Sequence, residues 1–140
     1  MSIWFQPVRL EDIHHLQKNT MMETIGIEFT EIGEDYIKGK MPVDHRTHQP
    51  YGILHGGASI ALAETLGSVA SHLCIDSDKY KSVGLEVNGN HIRPVSSGFV
   101  YGTARPIHIG RKTHIWEIKI ENDEGRLVCV SRLTVAIVEG

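Results

Sequence analysis

The 140-residue chain has no surplus of positive charge: Lys and Arg total 14 against 17 Asp and Glu, a formal charge of −3. A protein whose task is to neutralise phosphates along DNA or RNA needs that surplus, so general nucleic-acid binding is excluded. Cysteine is scarce as well. Cys74 and Cys129 are far apart, form no C-x-x-C pair, and each sits in an apolar run, Leu73-Cys74-Ile75 and Val128-Cys129-Val130; both read as buried, reduced thiols. The opening residues MSIWFQPVRLED contain no basic stretch followed by an apolar one, so no export signal is expected. The longest apolar stretch, Ile53 to Ile75, carries His55, Glu64 and His72 and is rich in Gly, Ala and Ser. That argues against a membrane span and for a cytoplasmic protein.

What is present is enough chain for one domain, residues 1–140, burying roughly two-thirds of the surface its unfolded form would expose. Residues 9–19 place Leu10, Ile13 and Leu16 on one stripe, which predicts a short amphipathic helix. IGIEFTEIGEDYIKGKMPV predicts two strands turning at Gly33-Glu34-Asp35, and DHRTHQPYG a loop. A long helix is expected from His55 to about Ile75, because the apolar run is too long for a strand. Beyond Asp78 everything reads as strand: YKSVGLEVNGNHIRPV with a bulge at Gly89, then three runs joined by GRK and NDEG, short enough for an antiparallel meander. The small residues of the helix, among them Gly57, Ala58, Ala61, Ala63, Gly67 and Ala70, suit it to close wrapping by a curved sheet. One face of the last strand should cover it, leaving the other for a partner chain.

Within that helix Glu64 is the only acidic residue. No Lys or Arg occurs between Arg46 and Lys79, so no ion pair along the helix can satisfy it. If buried, an unpaired carboxylate costs several kcal/mol and responds with a raised pKa. A reactive carboxylate in a cleft accounts for such a residue. Gly56 and Gly57 open the helix, where amide N–H groups lack intrahelical partners and lie at the positive end of the dipole. A carbonyl placed there would be polarised as in an oxyanion hole. Eight residues separate Gly56 from Glu64, roughly 12 Å of helix at 1.5 Å per residue. One helix cannot readily bring both to one carbonyl, whereas a second copy running antiparallel beside it can.

The stretch Gln49-Pro50-Tyr51-Gly52-Ile53-Leu54-His55-Gly56-Gly57-Ala58-Ser59, followed by Ala63-Glu64 and Gly67-Ser68, resembles the hotdog-fold acyl-CoA thioesterases. It is most similar to the bacterial group that includes 1,4-dihydroxy-2-naphthoyl-CoA hydrolase and the phenylacetate-pathway and 4-hydroxybenzoyl-CoA thioesterases. The resemblance covers essentially the whole chain. It implies an α+β hotdog fold, an antiparallel sheet wrapped around one long central helix, and a tetramer built from dimers with shared active sites. It further implies Glu64 as nucleophile or general base, Gly56 as the N–H that polarises the thioester carbonyl, and His55 and Gln49 as orienting side chains. Ser68 would line the acyl pocket, Asn90 and His91 would flank the acyl group, and Arg93 would bind substrate. Arg93, Arg111 and Lys112 lie near strand ends where CoA phosphates could pass, as ordinary surface charges also do.

A thioester carbonyl is electrophilic enough that a placed carboxylate and N–H donors suffice, so no cofactor is required. Nine histidines raise the question of a metal, but the H-x2-H-x6-H spacing of His45, His48 and His55 matches no common zinc arrangement. The leading expectation is therefore an acyl-CoA thioesterase for an aromatic or medium-sized acyl group. The alternatives are a hydratase or dehydratase of acyl thioesters and a non-catalytic acyl-CoA binding module.

Overall fold

A computed structural model describes all residues, Met1–Gly140. Six antiparallel strands form one sheet: β1 (Glu28–Ile32), β2 (Ile37–Pro42), β3 (Tyr80–His91), β4 (Phe99–Ile109), β5 (Thr113–Glu121) and β6 (Leu127–Glu139), in the order β1-β2-β4-β5-β6-β3. The sheet curls around the helix α2 (Gly56–Leu73), which packs against β2, β3, β4, β5 and β6. This is the hotdog fold. The strand pair turns where expected, and β4, β5 and β6 make the expected meander. β3 crosses to the far side of β6 and leaves its own outer edge unpaired. No helix is long and apolar enough to cross a membrane.

The small residues govern how closely the layers meet. Leu62, Ala63, Leu66 and Ala70 of α2 are fully buried against Ile37, Met41, Val100, Ile118 and Leu133 of the sheet. Leu66 enters a hole made by Gly39 and Gly102, which face each other across β2 and β4. A Cβ at either glycine would stand 2.8 Å from a Leu66 methyl. In return Gly67 receives Leu133, whose Cδ2 would lie 2.6 Å from a Cβ there. Interiors packed to crystal density feel changes of one methylene, so these glycines set the helix-to-sheet distance.

Two local expectations are corrected. Residues 9–19 form not one amphipathic helix but two 3₁₀ turns, Leu10–Asp12 and His14–Gln17, followed by the short α1 (Met21–Thr24). The reason is visible in the spacing. Leu10, Ile13 and Leu16 recur every third residue, the period of a 3₁₀ helix, and Ile13→Leu10 and Leu16→Ile13 amide bonds follow it. The stripe still buries, Ile13 to 2 % exposure. The bulge of β3 lies between Gly84 and Glu86, not at Gly89. Gly89 keeps its place in the ladder opposite Ser131 and instead makes room for Ile60 of α2.

Candidate active site

The loop between β2 and α2 positions the first half of the site. Thr47, 2 % exposed, donates its hydroxyl to the Pro42 carbonyl at 2.7 Å and accepts the Asp44 amide at 3.2 Å. Asp44 in turn holds the Arg46 guanidinium at 2.7 Å, and that hydrogen bond keeps its carboxyl at a pKa of about 2. The Thr47 carbonyl accepts the His55 amide and the Val95 carbonyl accepts the Leu54 amide, both at 2.8 Å. The chain is thereby delivered to the start of α2 with His55 extended, φ −67 and ψ 131, as its N-cap.

The first turn of α2 accounts for its amides one by one. His55 Nδ1 accepts the Gly57 amide at 2.7 Å. The His55 carbonyl accepts the amides of Ala58 at 3.0 Å and Ser59 at 3.3 Å. The Gly56 amide alone donates to nothing in the chain. Because Nδ1 acts as acceptor, the neutral His55 ring carries its proton on Nε2, where it can donate to a ligand. Above Gly56 stands the last residue of β3, His91, whose Nε2 would be 2.8 Å from a Cβ on Gly56.

Gly56, His91, Gln49, Arg93, Ser59 and Val128 share one cavity of about 280 Å³. Gln49 Oε1 accepts the Tyr51 amide, which fixes the side chain and leaves its NH₂ available. Arg93 is tied to the Leu127 carbonyl at 2.6 Å and remains exposed. Glu64 opens into a second cavity, of about 390 Å³, with Ser68, Met21, Met22, Ile27 and Val69. Glu64 belongs to none of the chain's ion pairs. Gly84 of β3 lies beside it, where a Cβ would stand 3.3 Å from Oε2.

Two sequence expectations change here and one is kept. Glu64 is exposed in the single chain, so no burial penalty falls on it until something covers the face it occupies. Asn90 does not accompany His91. Successive residues of a strand point to opposite faces, and Asn90 lies on the sheet's outer side with Asn88, Glu117 and Arg132. Glu64 and Gly56 open into different cavities, which agrees with the helix-length argument. Met21, Met22, Ile27 and the buried Ser59 are lining residues that sequence reasoning passed over. The methionines lie in the gap between the stripe of residues 9–19 and the strand pattern that starts at Ile25, and Ser59 reads as one more small residue of α2. A further cavity, about 440 Å³ between Phe5, Pro7, His72 and Asp76, contains none of the candidate residues. His45, His48 and His55 do not converge: they face Asp44, the Ser96 carbonyl and the Gly57 amide respectively.

Residues 51–129, which include the opening of α2, Glu64 and His91, match the family model of the thioesterase superfamily. The chain belongs to the thioesterase superfamily. Among curated relatives, the 1,4-dihydroxy-2-naphthoyl-CoA hydrolase of Escherichia coli K12 is 46 % identical over 97 % of this chain and 99 % of its own length. The proofreading thioesterase EntH of Cronobacter turicensis is 47 % identical over 97 % and 98 %. Of solved structures, a Pseudomonas aeruginosa thioesterase in a glutamine-to-alanine variant superposes with a TM-score of 0.97 at 49 % identity, covering 99 % of this chain and all of that one. A Haemophilus influenzae thioesterase gives 0.93 at 47 %, covering 98 % and 95 %. The protein is thus a hotdog-fold thioesterase, an enzyme that hydrolyses thioesters.

Proposed function

We propose that residues 1–140 act as one domain that hydrolyses acyl-CoA thioesters with an aromatic or medium-sized acyl group in the cytoplasm, 1,4-dihydroxy-2-naphthoyl-CoA being the leading candidate. The observation that carries this reading is the unpartnered Gly56 amide at the start of α2 on the same helix as the unpaired Glu64 carboxylate. The reactive pair is completed between two copies. β3 is a sheet edge with an unpaired side, and Leu85, Val83 and Tyr80 on it are 62 %, 46 % and 41 % exposed. An apolar edge strand invites pairing with another strand. If two β3 edges join antiparallel, the two α2 helices lie side by side in opposite directions, and Glu64 of one copy faces Gly56 of the other. Two such dimers form the tetramer.

In that arrangement the thioester oxygen accepts the Gly56 N–H, with the helix dipole behind it. Gln49 and His55 orient the carbonyl or the water, His91 lies over the thioester, Arg93 meets the CoA side, and Ser68 faces the acyl group. Glu64 of the partner copy then acts by one of two balanced routes. As nucleophile its oxygen adds to the carbonyl carbon, the C–S bond breaks with CoA leaving as thiolate, and water hydrolyses the mixed anhydride. As general base it takes a proton from water, whose hydroxide adds to the carbon before the same C–S cleavage. Both need no cofactor and no metal.

The test uses two substrates. Benzoyl-CoA and crotonyl-CoA are incubated with the protein while free thiol and enoyl absorbance are followed. Thiol release from benzoyl-CoA is the expected result. Enoyl loss without thiol would make the protein a hydratase, and no change in either would make it a binder.

A further inference from the structure

The site as described assigns no residue the task of choosing the acyl group. The cavity around Glu64 has two kinds of wall. One is the rigid face of α2, Ala61, Ser68 and Val69; the other is the short α1, which contributes Met21 and Met22. α1 has no buried residue, and Met21 is 63 % exposed. Its backbone bonds are local: Met21 accepts from Ile25 at 3.1 Å and Met22 from Ile27 at 2.8 Å. On either side stands a left-handed residue, Asn19 with φ 58 and Gly26 with φ 79. Such positions are where a segment changes direction, and here they bracket α1 as one small unit standing beside the cavity.

The chemistry decides what enters that cavity. A carbonyl carbon within reach of Glu64 carries its acyl group one bond away. The thiol half must point toward the cavity of Gly56, His91 and Arg93, leaving the acyl half on the Glu64 side. A volume of about 390 Å³ lies within the roughly 300–1,000 Å³ of small-molecule pockets. Methionine is unbranched, polarisable and able to follow the shape of what it touches, and its sulfur makes favourable contacts with aromatic rings.

We propose that Met21 and Met22 form the adaptable wall of the acyl chamber and set its selectivity, favouring a flat aromatic acyl group over a long alkyl chain. This rests on Glu64 being the reactive carboxylate. Removing the Met22 side chain opens the chamber and removes the ring contact, whereas Met22→Trp narrows it.

The experiment measures kcat/KM for benzoyl-, hexanoyl- and decanoyl-CoA with wild type, Met21→Ala, Met22→Ala and Met22→Trp. Ratios between substrates cancel any loss of folded protein, which lowers all three equally. Met22→Ala should move the decanoyl-to-benzoyl ratio upward by about tenfold, since one methylene in an apolar pocket is worth 10–200-fold. Met22→Trp should move it down. Ratios that stay within about twofold of wild type in all three variants overturn the proposal. Calorimetric binding of S-benzyl-CoA and S-octyl-CoA, thioethers that cannot be hydrolysed, separates this from the catalytic reading. If wild type released no thiol from any ester, the function above would fail. A changed thioether affinity ratio in Met22→Ala would still support the methionine wall, and an unchanged one would still overturn it.

Discussion

The His91 ring lies over Gly56 so closely that a Cβ added to the glycine would meet Nε2 at 2.8 Å. The contact is to the far end of an exposed, movable side chain, so Gly56→Ala should displace the imidazole and leave the fold intact. Gly56→Pro is the sharper probe. Proline is well tolerated at the first helical position, and the extended His55 before it already has the conformation a following proline requires. That variant deletes the one free amide of the first turn. We expect circular dichroism of wild-type intensity and a fall in kcat of about a hundredfold or more, the effect of removing one oxyanion-hole donor. Full activity in Gly56→Pro would end the assignment.

Glu64→Gln keeps the size of the side chain and removes its charge and basicity, so turnover should drop at least about a hundredfold. Acyl-CoA binding should persist, and the melting temperature should hold or rise, because the site between two copies no longer has to cover a charge. The same variant tests whether the site is shared. Differently tagged Glu64→Gln and Gly56→Pro chains, co-expressed and purified as the mixed dimer, carry both defects at one site and neither at the other. About half of wild-type activity should return. A mixed dimer as inactive as its parents places Glu64 and Gly56 of one chain in the same site.

His55 has two tasks that substitution can separate. As N-cap it accepts the Gly57 amide at 2.7 Å, and its outer nitrogen is free for the carbonyl or the water. His55→Ala should lose both, about 1 kcal/mol of stability from the cap and tenfold to a thousandfold in turnover by comparison with other single-donor losses. Asparagine is a good N-cap, so His55→Asn should recover the melting temperature while turnover stays low. Gln49→Ala should lower turnover over the same range with little change in stability. Recovery of activity together with stability in His55→Asn would reduce the residue to a cap.

The elements that carry periodic burial were legible in the sequence. The long helix, the β1–β2 turn and the β4–β5–β6 meander follow from apolar spacing and turn residues. The place of β3 was not, because pairing with β6 is a long-range choice that no local pattern encodes. The missing side chain of Gly89 reads as a bulge in the sequence, whereas in the fold that absence makes room for Ile60. In the candidate site, Glu64 stands out because no cation accompanies it, and Gly56 because of its position in the first turn. Asn90, which the resemblance sets beside the acyl group with His91, lies on the opposite face of β3 from His91 in the single chain, as strand alternation requires. Met21 and Met22 were invisible since their meeting with Glu64 depends on how the 3₁₀ turns fold back.

The two cysteines should not disturb a thiol-release assay. Both are free, and burial pushes the Cys74 thiol up to about 12 and raises that of Cys129 as well. The thiolate is the reactive form, so Ellman's reagent at pH 8 should find almost no thiol in the native protein and two per chain after denaturation. Rapid release of one equivalent from native protein would contradict this environment.

At the far end of α2 a buried polar trio makes stability depend on pH. Trp116 Nε1 donates to Ser71 Oγ at 2.6 Å, and that hydroxyl meets His114 Nδ1 at 3.0 Å. The indole can only donate, and the direction of the Ser71–His114 bond follows the imidazole tautomer, since the hydroxyl has one proton and two lone pairs. Burial, reinforced by the nearby His108, lowers the His114 pKa below its ordinary 6.5. The unfolded chain therefore binds a proton near 6.5 that the folded chain takes up only at lower pH. Between those two values stability rises with pH: this contribution is complete above about 6.5 and is lost as pH falls toward the folded value. Urea midpoints should decline as pH is lowered from 7 to 5, and His114→Gln should flatten that decline even if it lowers the midpoint overall. Ser71→Ala, which leaves the indole N–H and the imidazole nitrogen buried without a partner, should cost about 2 kcal/mol at neutral pH. A His114→Gln profile as steep as wild type between pH 7 and 5 would assign the acid sensitivity to other groups.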